Sequence, residues 1–175
     1  MRIVSCAAIL FLSLLFLVAC GGTDQAHYLS HQTYPLKAEG ILTYDGEDYT
    51  VAVEVPRSGD IVLTVVGSHP LCGSRWELTE GRATVSFGGI SQEWEDGGYA
   101  AEHGILLTAR LFALSGQDYI GTDVVTDGEA RYSCATYAAP GGTVTVYRQA
   151  DIPMLDRITG ELNGHSLSFR FVNES

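Results

Sequence analysis

The feature that most constrains the fold is an Asn-Gly pair between two alternating segments near the C-terminal end. Asn163-Gly164 follows residues 157–162 and precedes residues 165–172. Asn-Gly favours a two-residue type I′ turn, in which the flanking strands pair directly. The resulting register predicts three cross-strand pairs with apolar side chains on one face: Leu162 with His165, Gly160 with Leu167, and Ile158 with Phe169. The sequence therefore predicts an antiparallel hairpin with one buried face.

Similar short segments, rich in Val, Ile, Thr and Tyr and separated by Gly, Asp or Pro, recur through the chain. Such segments are typical of β-strands. They are residues 41–44, 49–55, 61–66, 82–87, 105–114, 119–125, 130–137 and 143–148. About ten short strands with hairpin-length connections predict an all-β fold, an antiparallel β-sandwich. A closed, lipocalin-like β-barrel is the alternative, because alternation does not distinguish the two architectures.

The N-terminal segment has the organisation of a secretory signal. Arg2 is followed by an almost unbroken apolar run from Ile3 to Ala19, and the run ends in Leu17-Val18-Ala19-Cys20. These four residues resemble the lipobox of bacterial lipoproteins. The resemblance implies that residues 1–19 are a cleaved signal peptide and that Cys20 carries the lipid, with acyl chains such as palmitate. An uncleaved membrane helix is the alternative, since the run is close to the minimum that spans a bilayer.

This interpretation divides the rest of the chain into two parts. Residues 20–37 are polar and irregular, and they are predicted to form a flexible tether behind the lipidated cysteine. Residues 38–175 are predicted to form a single β-domain. Gly21, rather than Asp, follows Cys20, which favours the outer membrane over the inner membrane in a host that has both. The predicted location is therefore the bacterial cell envelope, with the protein held at the membrane by lipid.

The charge of the chain restricts its partners. Removing residues 1–19 leaves nine basic and 21 acidic residues, a side-chain charge of −12. A nucleic acid would be repelled by this charge, and anionic headgroups would not attract it. The lipid must then supply the membrane attachment. The partners that we expect are the membrane, through the lipid, and another envelope protein or a glycan.

Two of the four cysteines remain for the domain. Cys6 leaves with the signal peptide and Cys20 is used for lipidation, so Cys72 and Cys134 remain. In an oxidising compartment, an even pair so far apart in the sequence predicts one disulfide. Metal ligation and free thiols are the alternatives.

Candidate functional residues concentrate in the two longest segments between predicted strands, residues 67–81 and 88–104. The common motifs of hydrolases, zinc proteases, nucleotide-binding proteins and dithiol redox proteins are absent from the sequence. The remaining candidates are the histidines His69 and His103, the carboxylates Glu93, Glu95, Asp96 and Glu102, the aromatic residues Trp76, Trp94 and Tyr99, the turn acids Asp123, Asp127 and Glu129, and the tether histidines His27 and His31. Solvated or packed side chains explain each set better than a site does. We therefore predict no catalytic, cofactor-binding or metal-binding residue.

Three functions remain open at this point. The first is a non-enzymatic, lipid-anchored β-domain that binds another envelope component or has a structural role. The second is a β-barrel that carries a small apolar ligand. The third is a hydrolytic or metal-dependent enzyme built from His69, His103 and the acids at positions 93–102, which requires the two imidazoles to lie close together.

Overall fold

Eleven antiparallel strands form one continuous sheet in the computed structural model, which describes residues 36–56, 60–79, 82–94, 104–114, 118–150 and 154–172. A short helix is placed between the sixth and seventh strands. The elements are β1 (Leu36–Tyr44), β2 (Glu47–Val55), β3 (Ile61–Val65), β4 (Arg75–Thr79), β5 (Arg82–Phe87), β6 (Ile90–Trp94), α1 (Gly104–Ala109), β7 (Tyr119–Asp127), β8 (Ala130–Ala139), β9 (Gly142–Gln149), β10 (Leu155–Leu162) and β11 (His165–Phe171).

The strand order explains how one chain builds so wide a sheet. From β1, each strand pairs with the next until β6 forms one edge, and the chain then resumes at the opposite edge with β7. Strands β8 to β11 return to the centre, where β11 pairs with β1. The prediction of an all-β antiparallel domain is confirmed. Its described strands form a single open sheet instead of two separate sheets or a closed ring, because β6 and β7 lie at opposite edges.

The two hairpins at the centre of the sheet follow from their turn residues. Asn163 and Gly164 have φ of 52° and 81°, as a type I′ turn requires. The predicted register of this hairpin is confirmed at all three pairs. Asp45 and Gly46, with φ of 47° and 87°, make the corresponding turn between β1 and β2. Asp is among the few residues other than Gly that tolerate this conformation.

The long apolar run at 105–114 is where the sequence prediction fails. We predicted a strand, but residues 104–109 form α1 and residues 110–112 continue as a turn. Ile105, Leu106, Leu107, Thr108 and Ala109 are all buried. A helix that is buried on all sides has no polar face, so its sequence cannot be distinguished by periodicity from a buried strand.

The helix and its turn cover the inner face of the sheet, the face that carries Leu42, Val53, Val146, Ile158 and Phe169. The ring of Phe112 contacts that of Phe169 edge-on, with centroids 5.2 Å apart. These residues belong to one buried cluster that includes both halves of the sheet and the helix. The segment between the two sheet edges therefore supplies much of the core.

Gly160 lies where the turn after α1 packs against β10. A Cβ atom at Gly160 would lie 2.8 Å from Cδ2 of Leu111, closer than real Cβ contacts. Gly160 thus leaves space in the core where any other residue would place a side chain. The structure shows that it makes room for Leu111.

Two of the long segments between the predicted strands contain strands themselves. Trp76 lies in β4, within the predicted loop 67–81, and β6 occupies residues 90–94 of the second long segment. Both strands are only five residues long, which is too short for a convincing alternation. Residue Leu36 already lies in β1, so the strand begins before the predicted domain boundary at residue 38.

Within the described ranges, no helix is long and apolar enough to cross a membrane. The predicted signal peptide, Cys20 and the tether up to residue 35 lie outside the described residues.

Candidate functional site

An open groove of about 580 Å³ lies at one end of the sheet. The start of β1, the end of β2, the start of β10 and the end of β11 form it. Its lining residues are Leu36, Lys37, Ala38, Glu39, Ala52, Val53, Glu54, Met154, Leu155, Phe171 and Val172. We call this feature the groove.

Antiparallel pairing brings these four chain segments together. Leu36 lies opposite Val55 and Ala38 opposite Val53. On the other side of β1, Gly40 lies opposite Phe171, and Val172 donates its backbone N–H to the carbonyl of Glu39 at 3.0 Å. The groove is therefore at the end where β1 begins, which we call the entry end of the sheet. The turns at Asp45-Gly46 and Asn163-Gly164 lie at the opposite end.

Most of the lining is apolar, and part of it is exposed. Met154 and Val172 have 45% and 51% of their surface accessible to solvent, while Leu36, Leu155 and Phe171 pack against the core from the groove side. Exposed apolar groups beside a concave surface are typical of a place that another molecule covers.

The polar residues of the groove are three charged side chains. Lys37 Nζ lies 3.0 Å from Glu54 Oε1, and both side chains are well exposed. Such a pair contributes roughly 0–1 kcal/mol to stability, because water screens it. Glu39 is the third, and no ion pair of Glu39 occurs among the described residues. The rim therefore carries one positive and two negative charges.

Sequence reasoning missed the groove. Lys37 and the preceding residue were assigned to the tether, and Met154 to a connection between strands. The available signal was the alternation of apolar and charged residues in Leu36-Lys37-Ala38-Glu39. It extends the predicted strand 41–44 toward the N-terminus. That four segments would meet there depends on the pairing of β1 with β11, which joins opposite ends of the sequence.

A second polar cluster joins the two central turns at the opposite end of the sheet. Asp45 Oδ2 lies 2.6 Å from Nδ1 of His165, and Asp45 Oδ1 accepts the backbone N–H of Ser166 at 3.1 Å. Tyr44 stacks on the imidazole with centroids 5.2 Å apart. The hydrogen bond with His165 is the main reason that the pKa of Asp45 is held below its ordinary value, although partial desolvation opposes it. This arrangement orients the imidazole and joins the turns.

The predicted disulfide between Cys72 and Cys134 is not formed, and both thiols are free. Cys72 is exposed in the turn between β3 and β4, whereas Cys134 is 3% exposed on β8. Five strands separate β8 from β3 in the sheet order. A disulfide requires Cα atoms within about 7 Å. The neighbour of Cys134, Ala135, faces the core, so the thiol of Cys134 projects from the outer face of the sheet.

Arg157 and two tyrosines occupy the outer face around Cys134. The guanidinium of Arg157 lies 4.6 Å from the ring centroid of Tyr147 and 5.1 Å from that of Tyr132, and it donates to Asp127 at 3.1 Å. Tyr147 pairs directly with Cys134 across the strands. Burial raises the pKa of the Cys134 thiol, which disfavours the reactive thiolate.

The candidates of the first long segment have packing roles. His69 accepts the backbone N–H of Leu71 at Nδ1, 3.1 Å away, and its ring contacts Tyr49. Trp76 packs against the core and donates its indole N–H to Ser74 at 2.9 Å. His69 therefore stabilises its turn.

The candidates of the second segment are described only in part. Glu93 pairs with Arg82 at 3.0 Å, and Trp94 is half-buried at the end of β6. His103, Glu95, Asp96, Tyr99 and Glu102 lie outside the described residues, as do His27 and His31. The predicted approach of His69 to His103 therefore lies outside the described residues. In the described ranges, no three His, Cys, Asp or Glu side chains are grouped so that they could hold a metal ion.

Comparisons with solved structures find 21 chains that are similar to this one. The crystal structure of the lipoprotein LppX from Mycobacterium tuberculosis matches with a TM-score of 0.46 and 10% sequence identity, covering 86% of this chain and 95% of that one. No protein-family model matches the sequence, and neither does any curated protein.

Proposed function

We propose that this chain is a lipid-anchored protein of the bacterial cell envelope whose β-domain binds a small apolar molecule in the groove, without catalysing a reaction. The observation that carries the proposal is the groove itself. Its volume of about 580 Å³ lies within the range of roughly 300–1,000 Å³ that is typical of small-molecule sites.

The position of the groove relative to the anchor supports this proposal. Leu36, which lines the groove, is the first described residue of the domain. A chain anchored at Cys20 would therefore enter the domain at the end of the sheet that carries the groove. The apolar side chains of Met154 and Val172 are exposed at this same end.

The proposed cellular location of the protein is inferred from its N-terminal sequence. A lipobox cysteine followed by Gly21 supports lipid attachment and an outer-membrane location. Several acyl chains hold a protein stably at a bilayer, at about 0.8 kcal/mol per buried CH₂.

If the groove binds a small apolar molecule, that molecule should stay bound when the mature lipidated protein is purified. Native mass spectrometry of the wild-type protein and of Ala52→Trp, which places an indole in the groove, measures this retention. The matched control is Ala138→Trp, at an exposed alanine of β8 far from the groove. We expect the bound molecule in the wild type and in the control, and its loss in Ala52→Trp. Equal retention in all three proteins, or none in any, would contradict the proposal.

A second candidate is the binding of another envelope protein through the β5–β6 turn. Ile90 is 76% exposed there, beside Phe87, so two apolar side chains project at the tip of this hairpin. Photo-crosslinking in cells from a probe at Ile90 tests this candidate, with a probe at the exposed Thr143 as the control. A crosslinked protein specific to position 90 is the expected result, and identical patterns from both positions would exclude it.

A further inference from the structure

The charges on the rim of the groove indicate which class of apolar molecule it takes. We propose that the ligand is an amphiphile with a positively charged amine headgroup, whose alkyl chain lies in the groove and whose ammonium group lies beside Glu39. This inference rests on the proposed function, since it assigns the ligand of the same site.

Among the charged side chains that line the groove, Glu39 is the one available to form an ion pair with a ligand. Lys37 and Glu54 already pair with each other at 3.0 Å. Glu39 lies opposite Ala52 on β2, and its backbone carbonyl accepts the N–H of Val172 on the other side. Its carboxylate therefore has an alanine and a valine as nearest cross-strand neighbours, both of them lining the groove.

The nearest basic residue on the neighbouring strand does not compensate Glu39. Arg170 pairs with Ile41, which places it diagonally from Glu39 across β1 and β11. Diagonal neighbours in a sheet are about 7–8 Å apart, and no ion pair joins these two side chains. An ammonium group entering the groove would thus meet a carboxylate that has no ion-pair partner among the described residues.

The electrostatic field of the whole protein also favours a positively charged ligand. The chain has a formal net charge of −11, so it attracts cations and repels anions over its surface. A fatty acid in the groove would place its carboxylate beside Glu39 and Glu54, which is unfavourable at short distance. An alcohol would be tolerated but would gain no ion pair. The expected order of binding is amine, then alcohol, then carboxylate.

Photolabelling of the full lipidated protein in phosphatidylcholine nanodiscs tests this order. Three probes with the same dodecyl chain and diazirine group carry an ammonium, a hydroxyl or a carboxylate headgroup, and their membrane concentrations are matched. Mass spectrometry then measures labelling of the peptides that contain residues 36–39, 154–155 and 171–172. We expect the ammonium probe to label these peptides most strongly and the carboxylate probe least.

Glu39→Gln isolates the contribution of the headgroup. It should lower labelling by the ammonium probe roughly twofold to fivefold, the range of an exposed ion pair, and leave the hydroxyl probe unchanged. The hydroxyl probe thereby reports that the groove is still formed. Glu47→Gln, at the other end of the same hairpin, should change neither probe.

The failures of the two proposals are distinguishable. If the carboxylate probe labels as strongly as the ammonium probe, or if Glu39→Gln has no effect on ammonium labelling, the amine headgroup is wrong and apolar binding stands. If none of the three probes labels the groove peptides above the level in Ala52→Trp, the proposed function itself is wrong.

Discussion

Asp45 and His165, 120 residues apart in the sequence, lie with Oδ2 and Nδ1 2.6 Å apart across two turns. The contact connects the β1–β2 turn to the β10–β11 turn, which are the two hairpins that meet at the centre of the sheet. Two further hydrogen bonds reinforce it: the backbone N–H of Asp45 donates to the carbonyl of Ser166 at 3.0 Å, and the backbone N–H of Ser166 donates to Oδ1 of Asp45 at 3.1 Å.

Asp45→Asn should lower the free energy of unfolding at neutral pH, and this loss should disappear at acid pH. The pKa of Asp45 is lowered from 3.8 in the folded protein, so its contribution is present above that value and is lost as the pH falls through the folded pKa. Asn tolerates the positive φ at this position, so the variant changes the charge and not the turn. The measurement is the difference in urea midpoint between variant and wild type from neutral pH to pH values below 3.8.

We expect this difference to shrink toward zero at the acid end of the range. Glu47→Gln is the control, measured over the same range, because it removes an exposed carboxylate of the same hairpin that lies outside the contact between Asp45 and His165. A constant difference for Asp45→Asn over the whole range would mean that the ionised carboxylate does not stabilise the fold.

The two thiols should react at very different rates with iodoacetamide in the native mature protein. Cys72 is exposed and should be labelled promptly, whereas Cys134 is buried and its raised pKa disfavours the thiolate. Peptide mapping by mass spectrometry assigns each label, and unfolding in urea should make both cysteines reactive without a reductant. If either cysteine can be labelled only after reduction, the disulfide predicted from the sequence is present after all.

Gly160→Ala should destabilise the protein by about 1–3 kcal/mol, because the added methyl group enters a filled core beside Leu111. Gly121→Ala is the matched control, since a Cβ atom there meets nothing within 4 Å. The control should change the free energy of unfolding by less than about 0.5 kcal/mol. Equal effects of the two substitutions in urea unfolding would show that the helix turn does not pack on β10 as described.

Cys20→Ala should abolish incorporation of labelled palmitate and leave the precursor uncleaved, if Leu17-Val18-Ala19-Cys20 is a lipobox. Metabolic labelling in a bacterial host, followed by gel electrophoresis, measures both effects. Cys6→Ala is the control and should be processed normally. Palmitate incorporation in the Cys20 variant would refute the lipid attachment site.

The strands were predictable wherever a turn residue fixed the register. Asn163-Gly164 determined the pairs of the last hairpin correctly, because a two-residue turn leaves no freedom in the pairing. The short strands β4 and β6 were missed, since five residues carry too little alternation. Residues 105–109 were assigned the wrong structure, because burial on every side removes the polar face by which a helix is recognised.

The groove was not predictable from local patterns. Its lining comes from four chain segments, and the pairing of Gly40 with Phe171 that unites them leaves no mark in either segment alone. The disulfide failed for the same reason, since two cysteines indicate a bridge only when the sheet order brings their strands together.

The pairing of β1 with β11 also has a consequence for how the chain folds. Every other neighbouring pair in the sheet joins strands that are consecutive in the sequence, so these hairpins need only short loops to close. The β1–β11 ladder closes a loop that includes nearly the whole domain, and its entropic cost comes before any of its contacts can form. We expect the two wings of the sheet to form early and independently, and their joining at β1 and β11 to limit the folding rate. The groove, which needs both strands, would then be the last part of the molecule to appear.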